Sequence, residues 1–295
     1  MREKLGVIIN LPFRLNLNTL LWGVERTVQF CRKFTDNIIV VADRRTIQGA
    51  PANVKSDSFF MSLVTPAQES AAKLVEVYSV DTCDRWLGGF GWGVESKGWE
   101  FVQHYLLLPG DFEITEESEA TFRSLLEMAS HSEYEIVVGT ITSEPLSTKQ
   151  LIDTYATYAL MLVWFPEEAR RLIQNGISKP RSEFFSISKR FLQYVMVQRW
   201  FPYEQTLVVL LRYLWWENLD RRPIGKVRLV VGPEAGPRDL TEAITQLERM
   251  ERVMRFMWRE RAAVRKQLDM REYELIDSKS AAARKLAVSV FETLM

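Results

Sequence analysis

The sequence predicts a mostly parallel α/β sheet covered by helices on both faces. Three observations carry this expectation. Apolar strand-like runs at 5–9, rich in β-branched residues, and at 37–42, 105–108 and 135–139 alternate with stretches of helical period. Asp43 and Asp111 each follow one of those runs within a few residues, where the strands of such a sheet end along one shared edge. The chain has 295 residues, 47% of them hydrophobic and 26% charged, which is enough for one large core and argues against disorder.

Taken in order, residues 5–9 read as the first buried strand. Leu17, Leu20, Leu21, Val24, Val28 and Cys31 recur at helical spacing, so 17–34 reads as the first helix. Residues 37–42 are a second buried strand, ended by Asp43. Residues 59–64 read as a third strand and 67–80 as a helix. A strand at 105–108, a helix at 116–131 and a strand at 135–139 follow. Residues 149–175 are helical with an interruption near Pro166. A short strand at 184–187 leads into helix from Lys189. A helix at 206–216 and a late strand at 227–231 complete the alternation.

After the Gly- and Pro-bearing stretch 232–237 the character changes. Ile244, Leu247, Met250, Met254, Met257 and Trp258, separated by Arg and Glu, make 241–268 one long amphipathic helix. Such a helix packs on the main domain or on a second copy of itself, giving a homo-oligomer. The expected division is 1–236 for the α/β domain and 237–295 for a C-terminal helical extension.

Composition excludes several classes. Lys plus Arg equals Asp plus Glu at 38 each, so nothing global favours nucleic acid or an anionic membrane. The 2 cysteines, Cys31 and Cys83, make neither a disulfide framework nor a metal site, and Cys31 falls on the apolar face of the first helix. The opening Met1-Arg2-Glu3-Lys4 leads straight into a strand and is no signal peptide. No run of about 18 apolar residues crosses a bilayer, so a cytoplasmic protein is expected. There is no internal repeat.

The densest chemistry lies between residues 88 and 112. A Gly-rich turn, Gly88-Gly89-Phe90-Gly91-Trp92-Gly93, lets a backbone approach a ligand closely. The strand at 105–108 then delivers Pro109-Gly110-Asp111 to its C-terminal edge. The order of the pieces resembles a GT-A fold glycosyltransferase (a nucleotide-diphospho-sugar transferase), with a layout like that of the family 2 enzymes. Ile38-Ile39-Val40-Val41-Ala42-Asp43 looks like that group's second strand, which ends in an acidic pair. Gly91-Trp92-Gly93 is similar to its Gly-Lys-Gly turn. Leu106-Leu107-Leu108-Pro109-Gly110-Asp111 looks like its strand ending in Asp-X-Asp. Ile136-Val137-Val138-Gly139 matches the strand that follows. Lys179 to Ser186, with Arg190, resembles the acceptor-side segment, and Trp200-Phe201-Pro202-Tyr203-Glu204 the later Trp-X-Gly-Tyr-Glu element.

The resemblance covers about residues 5–240 and implies transfer of a sugar from a nucleotide sugar, a UDP- or GDP-sugar, to an acceptor hydroxyl. It implies that Asp43 and the turn Gly91, Trp92 and Gly93 hold the nucleotide. Asp111 bears on the diphosphate and on a divalent metal, Mg²⁺ or Mn²⁺, that neutralises the leaving group. Glu204 is the general base for the acceptor hydroxyl, with Glu183 second; as a residue alone, Glu204 also suits an ordinary helix N-terminal position. The chain departs from the pattern at four places: Pro109 and Ala42 replace first acids, Trp92 replaces Lys, and Glu183 replaces Gly. A catalytically inactive binding or scaffold protein on the same fold is therefore an alternative. A sugar-phosphate nucleotidyltransferase is a further one, although residues 10–16 lack the glycine-rich loop it requires. Trp92, Trp99, Trp200, Trp215 and Trp216 are candidates to stack on a sugar or base, core packing being the commoner fate of tryptophan. Arg221, Arg222 and Arg238 are candidates to hold the diphosphate. His104 and His131 receive no catalytic role.

Overall fold

The computed structural model describes residues 4–11, 17–64, 72–77, 101–110, 112, 114–131, 133–141, 151–196, 205–216, 220–230 and 240–264. Among them, seven strands form one sheet in the order β3-β2-β1-β4-β6-β5-β7. These are β1 (Leu5–Leu11), β2 (Ile38–Asp43), β3 (Lys73–Val77), β4 (His104–Pro109), β5 (Ile136–Ile141), β6 (Phe185–Ser188) and β7 (Ile224–Leu229). β1 pairs in parallel with both β2 and β4, and β2 with β3. β6 runs antiparallel between β4 and β5. Every residue of β1 and β4 is buried. Successive side chains of a strand point to opposite faces, so both faces of the sheet are covered there, as continuous apolar runs require. β7, at the end of the order, alternates buried and exposed positions and has one open face.

The helices are α1 (Leu17–Cys31), α2 (Arg44–Gln48), α3 (Ala52–Lys55), α4 (Ser58–Val64), α5 (Glu116–Ser130), α6 (Thr157–Trp164), α7 (Pro166–Gln174), α8 (Lys189–Met196), α9 (Gln205–Trp215) and α10 (Leu240–Val264). Two readings of the sequence are corrected. The stretch 59–64, predicted as a strand, lies in α4: the Asp57 carboxylate accepts the N–H groups of Phe59 and Phe60 at 2.9 and 3.0 Å and starts a helix. Residues 73–77, inside the predicted helix 67–80, form β3, because pairing with β2 from Ile39↔Lys73 to Asp43↔Val77 overrides local preference. The helix at α5 forms where predicted, closed by a reciprocal cap between Thr115 and Ser118 and by Glu116, Glu117 and Glu119 in its first turn.

Contacts divide the chain into two compact units. One comprises 1–139, 183–202 and 218–229, and the other 140–182, 203–217 and 230–295, so the expected boundary at 236 falls inside the second. Within the second unit, α10 packs against α6. Leu247, Met250, Met254 and Met257 are buried, and Ile244 of that stripe is exposed. Phe165 stands 5.5 Å from Trp215 and 5.7 Å from Trp258, ring centre to ring centre. Arg212 bonds Glu260 at 2.9 Å and Arg261 bonds Glu168 at 2.9 Å, tying α10 to α9 and α7. The apolar stripe expected to serve a second copy, or a scaffold's partner, is thus largely used within the chain. Among the described residues no helix is long and apolar enough to cross a membrane.

At the N-terminal ends of the strands, Glu135 is wholly buried. Arg190 grips it with Nε at 2.9 Å and Nη2 at 2.6 Å, Ser188 donates its hydroxyl, and the Arg222 N–H lies at 3.3 Å. Burial pushes the carboxyl up, but these donors outweigh it and hold Glu135 below its usual 4.5. Burial likewise holds His104 below its usual 6.5, against the opposing pull of the Tyr134 carbonyl, which takes its Nε2 at 3.1 Å. Both groups therefore stabilise the fold fully above their unfolded values and lose that contribution as the pH falls. Urea midpoints should decline below pH 6.5 through His104 and further below pH 4.5 through Glu135. Glu135→Gln should lose about 2–4 kcal/mol at neutral pH and lack the lower step. An acid profile identical to wild type would contradict this assignment.

Candidate functional site

With β2 and β3 on one side of β1 and β4 on the other, the sheet reverses its winding between β1 and β4. In open α/β sheets ligands bind beyond the C-terminal strand ends at such a reversal. Here that edge is built from Asn10, which pairs with Val41 on one side and Pro109 on the other. The Gly110 N–H donates to the Asn10 carbonyl at 2.6 Å as the chain leaves β4. A Cβ at Gly110 would stand 2.5 Å from that oxygen and 2.9 Å from the Leu11 Cα, so only glycine passes. The Asn10 side chain is 3% exposed.

The chain on both sides of Asp111 is pinned. Gly110 is held by Asn10. The Phe112 ring lies 4.9 Å from Phe122 and 5.0 Å from Phe184, and the Phe112 carbonyl accepts the Thr27 hydroxyl at 3.4 Å. Asp43 ends β2 one position past the Leu11↔Ala42 pair, which places its backbone on the same edge. Asp111 itself, Gly91, Trp92, Gly93 and Glu204 lie outside the described residues, as do Trp99, Trp200 and Arg238, and so does the Asp43 side chain. Among the described residues no three His, Cys, Asp or Glu side chains gather as a metal site.

The second unit holds a buried charge cluster that sequence reasoning missed. Asp153 sits on a π-helical turn, Ile152–Ala156, a local geometry frequent at functional positions. Its carboxylate meets Arg181 at 2.6 Å and Lys179 at 3.4 Å, with all three side chains almost completely enclosed. The same stretch of chain is fixed at either end: Tyr158 donates its hydroxyl to the Ile177 carbonyl, and Thr206, on α9, donates to the Ser182 carbonyl. Residues 177–182, which include the first four residues of the segment from Lys179 that resembles the acceptor-side element, are therefore held in place, and the helix that follows Glu204 is fastened to them.

Other candidates are reassigned. Arg190 is committed to Glu135 and to the Asp220 carbonyl, at 2.5 Å, which removes it from any acceptor contact. Arg222 lies with them, at the strand ends opposite Asn10, roughly 17 Å away along β4, so it is no diphosphate clamp there. Glu183 is half-buried ahead of β6. Trp215 packs on Phe165 and donates to Glu168 at 2.8 Å, a core role. Burial pushes the Cys31 thiol up to about 12, so it is inert.

No family model matches the chain, and no curated protein does. Solved structures share its fold. Glucosyl-3-phosphoglycerate synthase from Mycobacterium tuberculosis, in complex with Mn²⁺ and UDP-glucose, is similar at 12% identity with a TM-score of 0.53, over 84% of this chain and 79% of that one. Its complex with Mn²⁺, UDP and glucosyl-3-phosphoglycerate is similar at 11% identity and a TM-score of 0.53, over 84% and 80%. Mannosyl-3-phosphoglycerate synthase from Rubrobacter xylanophilus follows at 13% identity and a TM-score of 0.48, over 90% and 76%. The fold is thus the one shared with the two glucosyl-3-phosphoglycerate synthase structures, of the GT-A kind.

Gly110→Ala should lower stability by about 1–3 kcal/mol, since its Cβ meets backbone and cannot be relieved by a side-chain rotation. Asp153→Asn should cost about 3–5 kcal/mol by uncovering two buried cations. Lys33→Ala, which breaks the exposed pair with Glu119 at 3.1 Å, should cost under about 1 kcal/mol. Denaturant titration of the three variants checks the ranking; equal losses at Asp153 and Lys33 would contradict it.

Proposed function

We propose that the chain binds a nucleotide sugar, a UDP- or GDP-sugar, across the C-terminal edge of β1, β2 and β4 and transfers the sugar to an acceptor hydroxyl. One observation carries the reading. The sheet reverses its winding between β1 and β4, the place at which open α/β sheets bind their ligands, and the sheet is of the GT-A kind. The Mn²⁺ and UDP-glucose bound in a similar structure, that of glucosyl-3-phosphoglycerate synthase, support it.

Asp43 and the Gly91-Trp92-Gly93 turn hold the nucleotide in this proposal, and Asp111 faces the diphosphate. A divalent metal, Mg²⁺ or Mn²⁺, would be held by Asp111 together with phosphate oxygens and would neutralise charge on the leaving group. Pro109 occupies the position of the other acid of the motif. Glu204 takes the proton of the acceptor hydroxyl as its oxygen bonds to C1 and the C1–phosphate bond breaks, the electron pair leaving with the diphosphate. The fastening of α9 to Ser182 through Thr206 supports Glu204 in that role by fixing the helix it precedes.

A thermal-shift panel of UDP-, GDP- and ADP-sugars, with and without Mn²⁺, tests the reading. One nucleotide class should raise the melting temperature of wild type by mass action, and Asp111→Ala should abolish most of the rise. Glu204→Gln should keep donor binding and lose turnover by about 100-fold or more. No shift with any donor would overturn the proposal.

A further inference from the structure

We infer that Thr206 is a positioning residue for sugar transfer: its bond to the Ser182 carbonyl fixes the first turn of α9 and, through it, the place of Glu204, two residues earlier in the chain. This rests on the nucleotide-sugar reading above, in which Glu204 is the base. The anchor is a turn in the second unit. In Lys179-Pro180-Arg181-Ser182 the Ser182 N–H donates to the Lys179 carbonyl at 3.2 Å. Pro180 takes the second position, where its ring presets φ for such a turn. The two cations of the turn straddle one carboxylate: Arg181 meets Oδ1 of Asp153 at 2.6 Å, and Lys179 meets Oδ2 at 3.4 Å. Ahead of the turn, the Tyr158 hydroxyl holds the Ile177 carbonyl. A buried ion cluster gains little stability over apolar packing of the same volume. What this one supplies is a turn whose last carbonyl has a fixed place.

Thr206 uses that carbonyl. A hydroxyl in the first turn of a helix commonly serves its own helix by bonding nearby backbone. Thr206 instead donates across 24 positions to Ser182, and both residues are buried. α9 is buried from Thr206 to Leu214. Apolar burial is non-directional, whereas a hydrogen bond sets distance and angle. The Thr206 bond therefore fixes the register and rotation of α9 at the end that Glu204 precedes. A general base needs that control. It must stand about 2.6–3.2 Å from the group whose proton it takes. A misplacement of about 1 Å costs on the order of 100-fold in rate.

The test measures release of UDP or GDP from whichever UDP- or GDP-sugar wild type binds, with water and with glycerol as acceptors. In either case the acceptor oxygen bonds to C1, the C1–phosphate bond breaks, and the acceptor proton passes to Glu204. Thr206→Val should lower kcat by about 10- to 100-fold. Its donor dissociation constant, read by calorimetry, should equal that of wild type. Thr206→Ser keeps the hydroxyl and should stay within about threefold of wild type in kcat. Adding Thr206→Val to Glu204→Gln should cost nothing more, because residues that act as one unit are not additive. If Thr206→Val does not fold, the same pattern is expected of Thr206→Ala. Unchanged kcat in Thr206→Val would overturn the inference. A further loss in the double variant would overturn the route through Glu204. Donor affinity falling in step with kcat, a Thr206→Ser variant as impaired as Thr206→Val, or failure of both Thr206→Val and Thr206→Ala to fold would show a structural role and overturn it too. Full turnover in Glu204→Gln, or no release by wild type with either acceptor, would sink the transferase reading, and this inference with it.

Discussion

The pairing of β1 with a parallel neighbour on each side fixes the rest of this architecture. A strand so placed must be apolar on both faces, and its C-terminal end becomes the place where the sheet's winding reverses. The exit of β4 then has to cross the end of β1 at hydrogen-bond distance, which the Gly110 N–H and the Asn10 carbonyl achieve at 2.6 Å. Because no Cβ fits there, the sequence at that point is set by backbone clearance rather than by side-chain chemistry. The same crossing carries the chain into Asp111, and the ring trio of Phe112, Phe122 and Phe184 receives it on the far side. A rigid approach and a rigid departure are what a site residue needs in order to be held in a productive geometry.

Buried charge in this chain is paired. At the N-terminal strand ends, Glu135, Arg190 and Ser188, with the Asp220 carbonyl, form a network that joins three segments distant in sequence. That arrangement is how a buried carboxylate is made tolerable. In the second unit, Asp153 gathers Arg181 and Lys179 and thereby fixes the backbone of the segment they belong to.

Much of the sheet was legible because its strands are uniformly apolar. β1, β2, β4 and β5 stand within a few residues of where their apolar runs predict them, and the βα alternation and the GT-A resemblance agree with the observed order. The errors have local causes. Residues 59–64 have strand-like composition, yet Asp57 caps a helix there, a signal present in the sequence as Asp followed by an apolar run. β3 carries a helical-looking pattern and is a strand only through its pairing with β2. β1 runs two residues beyond its apolar stretch of 5–9, because Asn10 looked like the end of a strand and is instead a buried polar residue within one. The Asp153 cluster joins residues 26 to 28 positions apart through a π-turn, and Glu135 meets a partner 55 positions away; neither separation leaves a periodic trace. Arg190 carried an acceptor-side resemblance and Arg222 a diphosphate role in the sequence reading, and only the tertiary structure places the Arg190 guanidinium and the Arg222 N–H against Glu135, at the opposite end of the sheet from Asn10.

The most direct test of the central claim is a crystal structure of the protein with Mn²⁺ and UDP or GDP, whichever binds. The account predicts a nucleotide lying across the C-terminal ends of β1, β2 and β4, with its diphosphate toward Asp111. A nucleotide bound elsewhere on the chain, with that edge empty, would contradict it.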